Sequence, residues 1–292
     1  MQIEITDVFL RDGLQDEPVI VETGQKLEIA EALGAAGVRR MEVASFVNPA
    51  RVPQMADAAE VIQRLPQDQA IRYTALALNG KGIARAATAG ATEIQVVASA
   101  SQAHSSANAG AGIDQALESL AVDVARHPQL SFFAGISTAF ICPFEGEIEP
   151  VRLLGLVQAF KRMGIKDIGL ADTLGTTAPQ KLMDSVKFVQ DAEPELTYYL
   201  HLHNAHGQAL ETVNLAIGAG ITRFDAALGG FGGCPFAPGA AGNLSTLELV
   251  QFVHAQGHGT GIDEKLLSIA ADQARSIVGS GRPVTTEKLS AN

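Results

Sequence analysis

Two histidines separated by one residue close the run Tyr198-Tyr199-Leu200-His201-Leu202-His203. The residues before them read as a short buried strand, and on a strand residues two apart project from the same face. His201 and His203 therefore point into one space, and two imidazoles on one rigid face at a strand's end make half of a metal site. The plainer alternative is a pair of hydrogen-bonded histidines at a strand terminus. Two further segments favour the metal: Arg11-Asp12-Gly13 near the start of the chain, and the glycine-rich run from Gly229 to Asn243 that holds Cys234.

The elements that must position these residues alternate regularly. Strands are expected over residues 2–8, 40–44, 71–78, 94–98, 130–138, 167–171, 197–203 and 223–227, with helices over 24–37, 53–65, 150–163, 178–191 and 207–218. Junctions such as Ala35-Ala36-Gly37 and Thr88-Ala89-Gly90 end a helix and feed the next strand. Eight such units predict an α/β protein of the (β/α)8 TIM-barrel type, a fold of about 250 residues. A doubly wound sheet is the competitor, but Phe9-Leu10-Arg11-Asp12-Gly13, expected as the turn after the first strand, is no dinucleotide fingerprint. Residues 262–280 predict an extra C-terminal helix, followed after Gly281 by a frayed polar tail. Residues 1–292 read as a single barrel domain.

In such a barrel the active site is built at the C-terminal ends of the strands. That rule gathers Arg11 and Asp12 after the first strand, Glu42 late in the second, His201 and His203 at the seventh, and Cys234 and Asn243 after the eighth. Asp172, after the sixth, reads as a helix cap or an outer support of the site. First, seventh and eighth strands are neighbours in a closed barrel, so Asp12, His201, His203 and Asn243 converge. One carboxylate, two imidazoles and one amide oxygen leave two positions of an octahedral shell for substrate oxygens. That set suits Mg2+ or Mn2+; Zn2+ comes second for want of a clear thiolate ligand.

Composition narrows the partners. The chain is 47% hydrophobic and 18% charged, and no stretch offers the ~18 uninterrupted apolar residues of a membrane span. The N-terminus opens directly on an alternating strand without a basic-then-apolar leader, so a cytoplasmic location is expected. With 21 basic and 32 acidic residues the net charge is −11, and no basic stripe interrupts it, which argues against nucleic acid. Two cysteines exclude a disulfide framework. Cys142 reads as a small buried hydrophobe, whereas Cys234, in a loop with little apolar cover, reads as reactive.

Arg11-Asp12-Gly13-Leu14-Gln15, Met41-Glu42-Val43-Ala44-Ser45-Phe46-Val47, Val52-Pro53-Gln54-Met55, Cys142-Pro143-Phe144-Glu145-Gly146, the His201/His203 pair and Gly232-Gly233-Cys234-Pro235-Phe236 occur in this order. Together they resemble 3-hydroxy-3-methylglutaryl-CoA lyase, of the metal-dependent TIM-barrel lyases, from the first strand to about residue 250. The resemblance implies a divalent cation on Asp12, His201, His203 and Asn243, with Arg11 facing a thioester oxygen and Glu42 supporting the site. It also implies Cys234 acting on a closing loop, an acyl-CoA thioester as substrate, and a homodimer. In that chemistry Asp12 takes the hydroxyl proton of a 3-hydroxyacyl-CoA, Arg11 stabilises the thioester enolate, and Cys234 protonates it.

Asn204-Ala205-His206 after the second histidine, Leu247, and Ser106-Ala107 before Asn108 depart from the lyase pattern. Asn204 is instead shared with the related isopropylmalate and homocitrate synthases, Claisen-type enzymes that join an acyl-CoA to a 2-oxo acid. His104, His206, His254 and His258 carry no assigned role and are expected at the surface.

Overall fold

The computed structural model describes residues 1–66, 70–233 and 242–284. Eight strands close into a parallel barrel: β1 (Glu4–Asp7), β2 (Arg40–Ser45), β3 (Arg72–Ala77), β4 (Glu93–Ser99), β5 (Ser131–Ser137), β6 (Asp167–Asp172), β7 (Thr197–Leu202) and β8 (Arg223–Ala226). Each strand pairs with the next, and β8 closes on β1 in the register Glu4–Arg223 to Asp7–Ala226. The helices are α1 (Thr23–Ala35), α2 (Ala58–Arg64), α3 (Gly80–Ala89), α4 (Gln102–Ala109), α5 (Ile113–Ala125), α6 (Pro150–Arg162), α7 (Pro179–Ala192), α8 (Ala209–Gly218), α9 (Thr246–Ala255) and α10 (Glu264–Ser280). This is the expected (β/α)8 barrel, with α10 as the extra C-terminal helix. No helix among the described residues is long and apolar enough to cross a membrane.

The strands are buried on both faces, as parallel strands under helices must be, but the two faces differ in chemistry. Ile5, Met41, Val43, Ile94, Leu200 and Phe224 join the buried hydrophobic core, and the positions alternating with them face the barrel interior. There Thr6, Glu42, Gln95, Tyr199 and Asp225 line a small internal hollow. The interior is thus polar where a barrel of this type is ordinarily filled by branched apolar side chains. At its N-terminal mouth Arg40 pairs with Glu4 at 3.2 Å and Glu93 at 3.0 Å, and Arg223 pairs with Glu4 at 3.1 Å and with Asp167. Both guanidinium groups lie over the Phe133 ring, at 4.6 and 5.9 Å. A hollow of about 740 Å³ opens at this mouth, but its charges are largely matched to one another, and that end of a barrel serves stability.

Several local expectations are corrected. Phe9–Gly13 is a single π-helical turn, not a tight turn: Val8 O accepts the amides of Arg11, Asp12 and Gly13 at 3.2, 2.8 and 3.1 Å. Three donors on one carbonyl wind the chain so that Arg11 and Asp12 leave β1 toward the barrel mouth. The helix expected over 53–65 divides into a 3-10 turn, Pro53–Met55, and α2. Between them Asp57 is engaged by Thr23 at 2.8 Å and by Lys26 at 2.6 Å, both from α1. Of the tail after Gly281, Arg282–Pro283 is not frayed but pairs antiparallel with Val19–Ile20, and residues 285–292 lie outside the described residues.

Asp7 ends β1 fully buried, accepting the Thr246 hydroxyl at 2.6 Å and the Phe9 amide at 3.0 Å, and so ties the π-helical turn to α9. Burial outweighs these bonds and raises its carboxyl to about 6, from 3.8. The folded state therefore holds this proton more tightly than the unfolded state, and the resulting stability, on the order of 3 kcal/mol, is lost as pH rises from about 4 to about 6. Asp7→Asn keeps an acceptor for Phe9 without the titration. Urea unfolding across pH 4–7 should show a flatter stability profile for this variant than for the wild type.

Candidate active site

The C-terminal mouth of the barrel holds a cavity of about 180 Å³, lined among others by Arg11, Asp12, His201, His203, Asp225 and Gly233. Because β1, β8 and β7 are consecutive around the barrel, residues nearly two hundred positions apart in the chain meet here. The candidate ligand atoms of Asp12, His201 and His203 all lie within 4.8 Å of one another, and the two imidazole centroids are 5.3 Å apart. Asn243 joins them through an isolated antiparallel bridge to His203. Its amide nitrogen donates to Asp12 Oδ2 at 2.7 Å and to Phe231 O at 3.0 Å.

Arg11 is buried beneath this cluster. Its Nε donates to Glu42 Oε2 at 2.7 Å and its Nη1 to Asp12 Oδ1. The two carboxylates hold the guanidinium charged despite its burial. Burial alone would raise the Asp12 carboxyl, but the charges of Arg11, His201 and His203 and the Asn243 bond hold it well below the usual carboxylate range. Glu42 goes the other way: burial pushes it up to about 7 even with Arg11 alongside, and its Oε1 has no hydrogen-bond partner among the described residues.

The two histidines are held differently. Burial works against a charge on His201, yet the bond from Nδ1 to Asp225 Oδ2, 3.3 Å, and the nearby Asp12 keep its pKa above the ordinary value. Burial and the charge of His201 push His203 down to about 4, and its buried Nδ1 has no partner among the described residues. An anionic carboxylate, one imidazole oriented by a second carboxylate, and a neutral imidazole with a stranded ring nitrogen fit a divalent cation. Among the described residues Asp12, His201 and His203 form the grouping of histidine, cysteine and acidic side chains with that geometry.

The surrounding loops are shaped for this approach. Gly232, at φ +98°, lies where a Cβ would come 2.5 Å from Asn243 Nδ2 and 3.0 Å from Asp12 O. Asp172 ends β6 but does not enter the cluster. Its side chain accepts the Thr177 hydroxyl at 2.8 Å and amide at 3.2 Å, closing the loop before α7. From that loop Gly175, at φ +63°, rests on the His203 backbone, 2.5 Å from where its Cβ would be. Asp172 is thus an outer support.

Arg11, Asp12, Glu42, His201, His203 and Asn243, all singled out from the sequence, come together. Cys234 lies outside the described residues, which stop at Gly233 and resume at Gly242; Gly233 itself lines the cavity. Asp225 was missed, although a carboxylate alternating with Phe224 and Ala226 in an apolar strand was a usable signal. His104 is a correction. Expected at the surface, it is buried and lines the cavity. His254 is also partly enclosed, between Glu264 and Thr260.

The family model HMGL-like matches residues 2–273. The chain belongs to the HMGL-like family. It is 36% identical over 299 residues to the (R)-citramalyl-CoA lyase of Chloroflexus aurantiacus, covering 98% of this chain and 94% of that protein. It is 37% identical over 263 residues to the cytoplasmic 3-hydroxy-3-methylglutaryl-CoA lyase of Mus musculus, covering 89% of this chain and 77% of that one. Among solved structures, an HMG-CoA lyase from Acinetobacter baumannii in complex with coenzyme A and 3-methylmalate superposes with a TM-score of 0.91 at 37% identity, covering 100% of this chain and 96% of that one. This member of the HMGL-like family is an oxo-acid lyase.

Asp225 is bonded to His201 Nδ1 and stands outside the Asp12–His201–His203 grouping, and such outer partners of a metal-binding histidine carry about 10- to 100-fold in metal affinity. Asp225→Ala is expected to lose Mn2+ affinity by that factor in calorimetric titration, with the circular dichroism of the barrel unchanged. Unaltered affinity would show that the His201–Asp225 contact is not used in metal binding.

Proposed function

We propose that the protein cleaves the C2–C3 bond of 3-hydroxy-3-methylglutaryl-CoA or a close 3-hydroxyacyl-CoA analogue, releasing acetyl-CoA and an oxo acid by retro-Claisen cleavage. The observation that carries this reading is the meeting of a guanidinium, a strongly acidic carboxylate and two imidazoles at one end of a cavity of about 180 Å³. That volume suits a short acyl group and leaves the coenzyme outside.

Asp12, His201, His203 and Asn243 would hold the cation, Mg2+ or Mn2+ by the hardness of the set. When bound, it lowers the pKa of the substrate hydroxyl and draws off negative charge. Of the carboxylates that line the cavity, Asp12, Asp16 and Asp225, Asp12 is the one grouped with both histidines, and in this reading it receives the hydroxyl proton. Glu42 lines the hollow beneath and keeps Arg11 in place. The Arg11 guanidinium borders the same cavity, where a cation stabilises the negative charge that builds on the thioester oxygen as the carbon–carbon bond breaks. Cys234 follows Gly233 and would return a proton to the enolate carbon.

Two of the departures from the lyase pattern, Asn204 and Leu247, are not among the residues that line the acyl cavity. Asn204 accepts the Ala209 amide at 3.1 Å at the start of α8, and Leu247 packs against the hydrophobic core. The condensing alternative that Asn204 suggested therefore gains no support from the cavity wall.

Purified protein with Mg2+ should release acetyl-CoA from such thioesters with no 2-oxo acid present, and lose the activity with EDTA. Free thiol formed only from acetyl-CoA plus 2-oxo acids would replace this reading with a condensing enzyme. Cys234→Ser should lower kcat by at least ~100-fold, the low end for a positioned acid or base, while Mn2+ still binds. A near-normal kcat would make the thiol structural.

A further inference from the structure

The wall of the acyl cavity across from the cation cluster is built from the ends of β3, β4 and β5, the start of α4 and the residue that follows β6. In the barrel order β4 stands opposite β8 and β5 opposite β1. Once the hydroxyl and thioester oxygens face Arg11, Asp12 and the histidines, the remaining C3 substituents of a short acyl group must point at this wall. Its apolar part includes Leu76, Val97 and Ile136, which suits a methyl group. Its polar part includes His104, Ser137 and Thr173.

His104 is held unusually firmly for a residue on a loop-borne helix. It is 4% exposed, and its Nδ1 lies 3.0 Å from Ser99 Oγ, which lies 2.8 Å from Thr138 Oγ1. Thr138 is a non-glycine residue at positive φ, +49°, a backbone state that costs free energy and concentrates at functional sites. Its amide donates to Thr173 Oγ1 at 2.8 Å, so hydroxyl groups lash the ends of β4, β5 and β6 together beneath the imidazole. The helix that carries His104 is fixed from the other side. Ser101 accepts the His104 amide at 3.1 Å, Glu145 accepts the Ala103 amide at 2.7 Å, and Arg152 pairs with Glu145 at 2.6 Å. Glu145 belongs to the Cys142–Gly146 motif, for which the reaction itself supplied no use.

We propose that His104 is a specificity-determining residue: it forms the polar end of the acyl cavity, receives the carboxyl-bearing arm of the substrate and limits that arm's length, while Glu145 is the positioning residue that holds α4 in place. The proposal rests on the lyase reading above. It bears on a narrow choice, because the hydroxymethylglutaryl and citramalyl thioesters share a 3-hydroxy-3-methyl carbon and a terminal carboxylate and differ by one methylene. A single methylene is worth about 10- to 200-fold in discrimination at a fitted site, so one side chain at the end of the cavity suffices to choose.

The test compares kcat/KM for 3-hydroxy-3-methylglutaryl-CoA and citramalyl-CoA with Mg2+ present. His104→Ala deepens the cavity and should move the ratio toward the longer substrate by about tenfold or more. His104→Phe keeps the bulk and removes the ring nitrogens, so KM should rise for both substrates while the ratio holds. Glu145→Gln should raise KM with little change in kcat, since it loosens α4 without touching the reacting atoms. His104→Gln keeps a polar side chain of similar reach and should retain the wild-type preference if the alanine variant fails to fold. A ratio in the alanine variant within about twofold of wild type, or a glutamine variant with reversed preference, overturns the proposal. Wild-type protein that cleaves neither thioester overturns the lyase reading instead, and this inference with it.

Discussion

A guanidinium enclosed in a barrel must be matched by carboxylates, and Arg11 is matched by two, Glu42 from β2 and Asp12 from its own turn. Much of the site depends on that arrangement. The charge of Arg11 keeps Asp12 anionic against its burial, and an anionic Asp12 gives the cluster the net attraction for a cation that two imidazoles alone would lack. The pair also fixes where β1 ends relative to β2. Removing one member of such a buried set costs about 3–5 kcal/mol, because the other is left uncompensated. The π-helical turn serves the same end. Gathering three amides on Val8 O turns Arg11 and Asp12, adjacent in sequence, so that one lies under the cavity and the other borders the cation cluster.

The polar interior follows from this. With Arg11, Glu42 and Asp225 entering from above, apolar layers beneath them would strand charge. The sequence instead places Gln95, Tyr199 and Thr6 in the middle and a second ionic layer, Arg40 and Arg223 with Glu4, Glu93 and Asp167, at the bottom. Phe133 gives both lower guanidinium groups a face to rest on. The helix-facing side of the same strands carries the hydrophobic stabilisation. A barrel can therefore keep a charged axis without losing its core, because the core lies between sheet and helices.

How much of this was legible depended on whether the signal was local. The strands and their order could be read because β2, β4, β6 and β8 follow helix–glycine junctions at Gly37, Gly90, Gly164 and Gly220, and the strands alternate or run apolar over a few residues. Asp12, His201, His203 and Asn243 could be gathered because barrel closure makes the first, seventh and eighth strands neighbours, a rule that needs no side-chain detail. Asp225 and His104 were harder. A lone carboxylate in Phe224-Asp225-Ala226 signals an inward polar position, but its role shows only once the register of the two strands sets it beside His201. His104 sits in Gln102-Ala103-His104-Ser105-Ser106, a run polar enough to look solvated. It is nevertheless buried, on a helix start whose Ala103 amide is held by Glu145, more than thirty residues further on. The pairing of Arg282–Pro283 with Val19–Ile20 was illegible for the same reason: two residues carry no period, and their partner lies at the other end of the chain.

On the proposed function, the division of labour around the cavity would let a lyase of this kind keep its chemistry while its substrate changes. The groups placed to form and stabilise charge lie on β1, β7 and β8, tied to one another by ion pairs and by the bridge between His203 and Asn243. Altering any of them disturbs the others, since their protonation states are mutually set. The facing wall is tied by a hydroxyl–hydroxyl bond and a helix cap, neutral bonds individually worth about 1 kcal/mol, while the charged tie of Glu145 to Arg152 and the Ala103 amide lies outside the cavity lining. A substitution there changes the shape and polarity met by the acyl arm without moving charge at the cation cluster. Ion pairs join the groups of the first wall to one another, so on the proposed function the second wall is where the substrate would be free to vary.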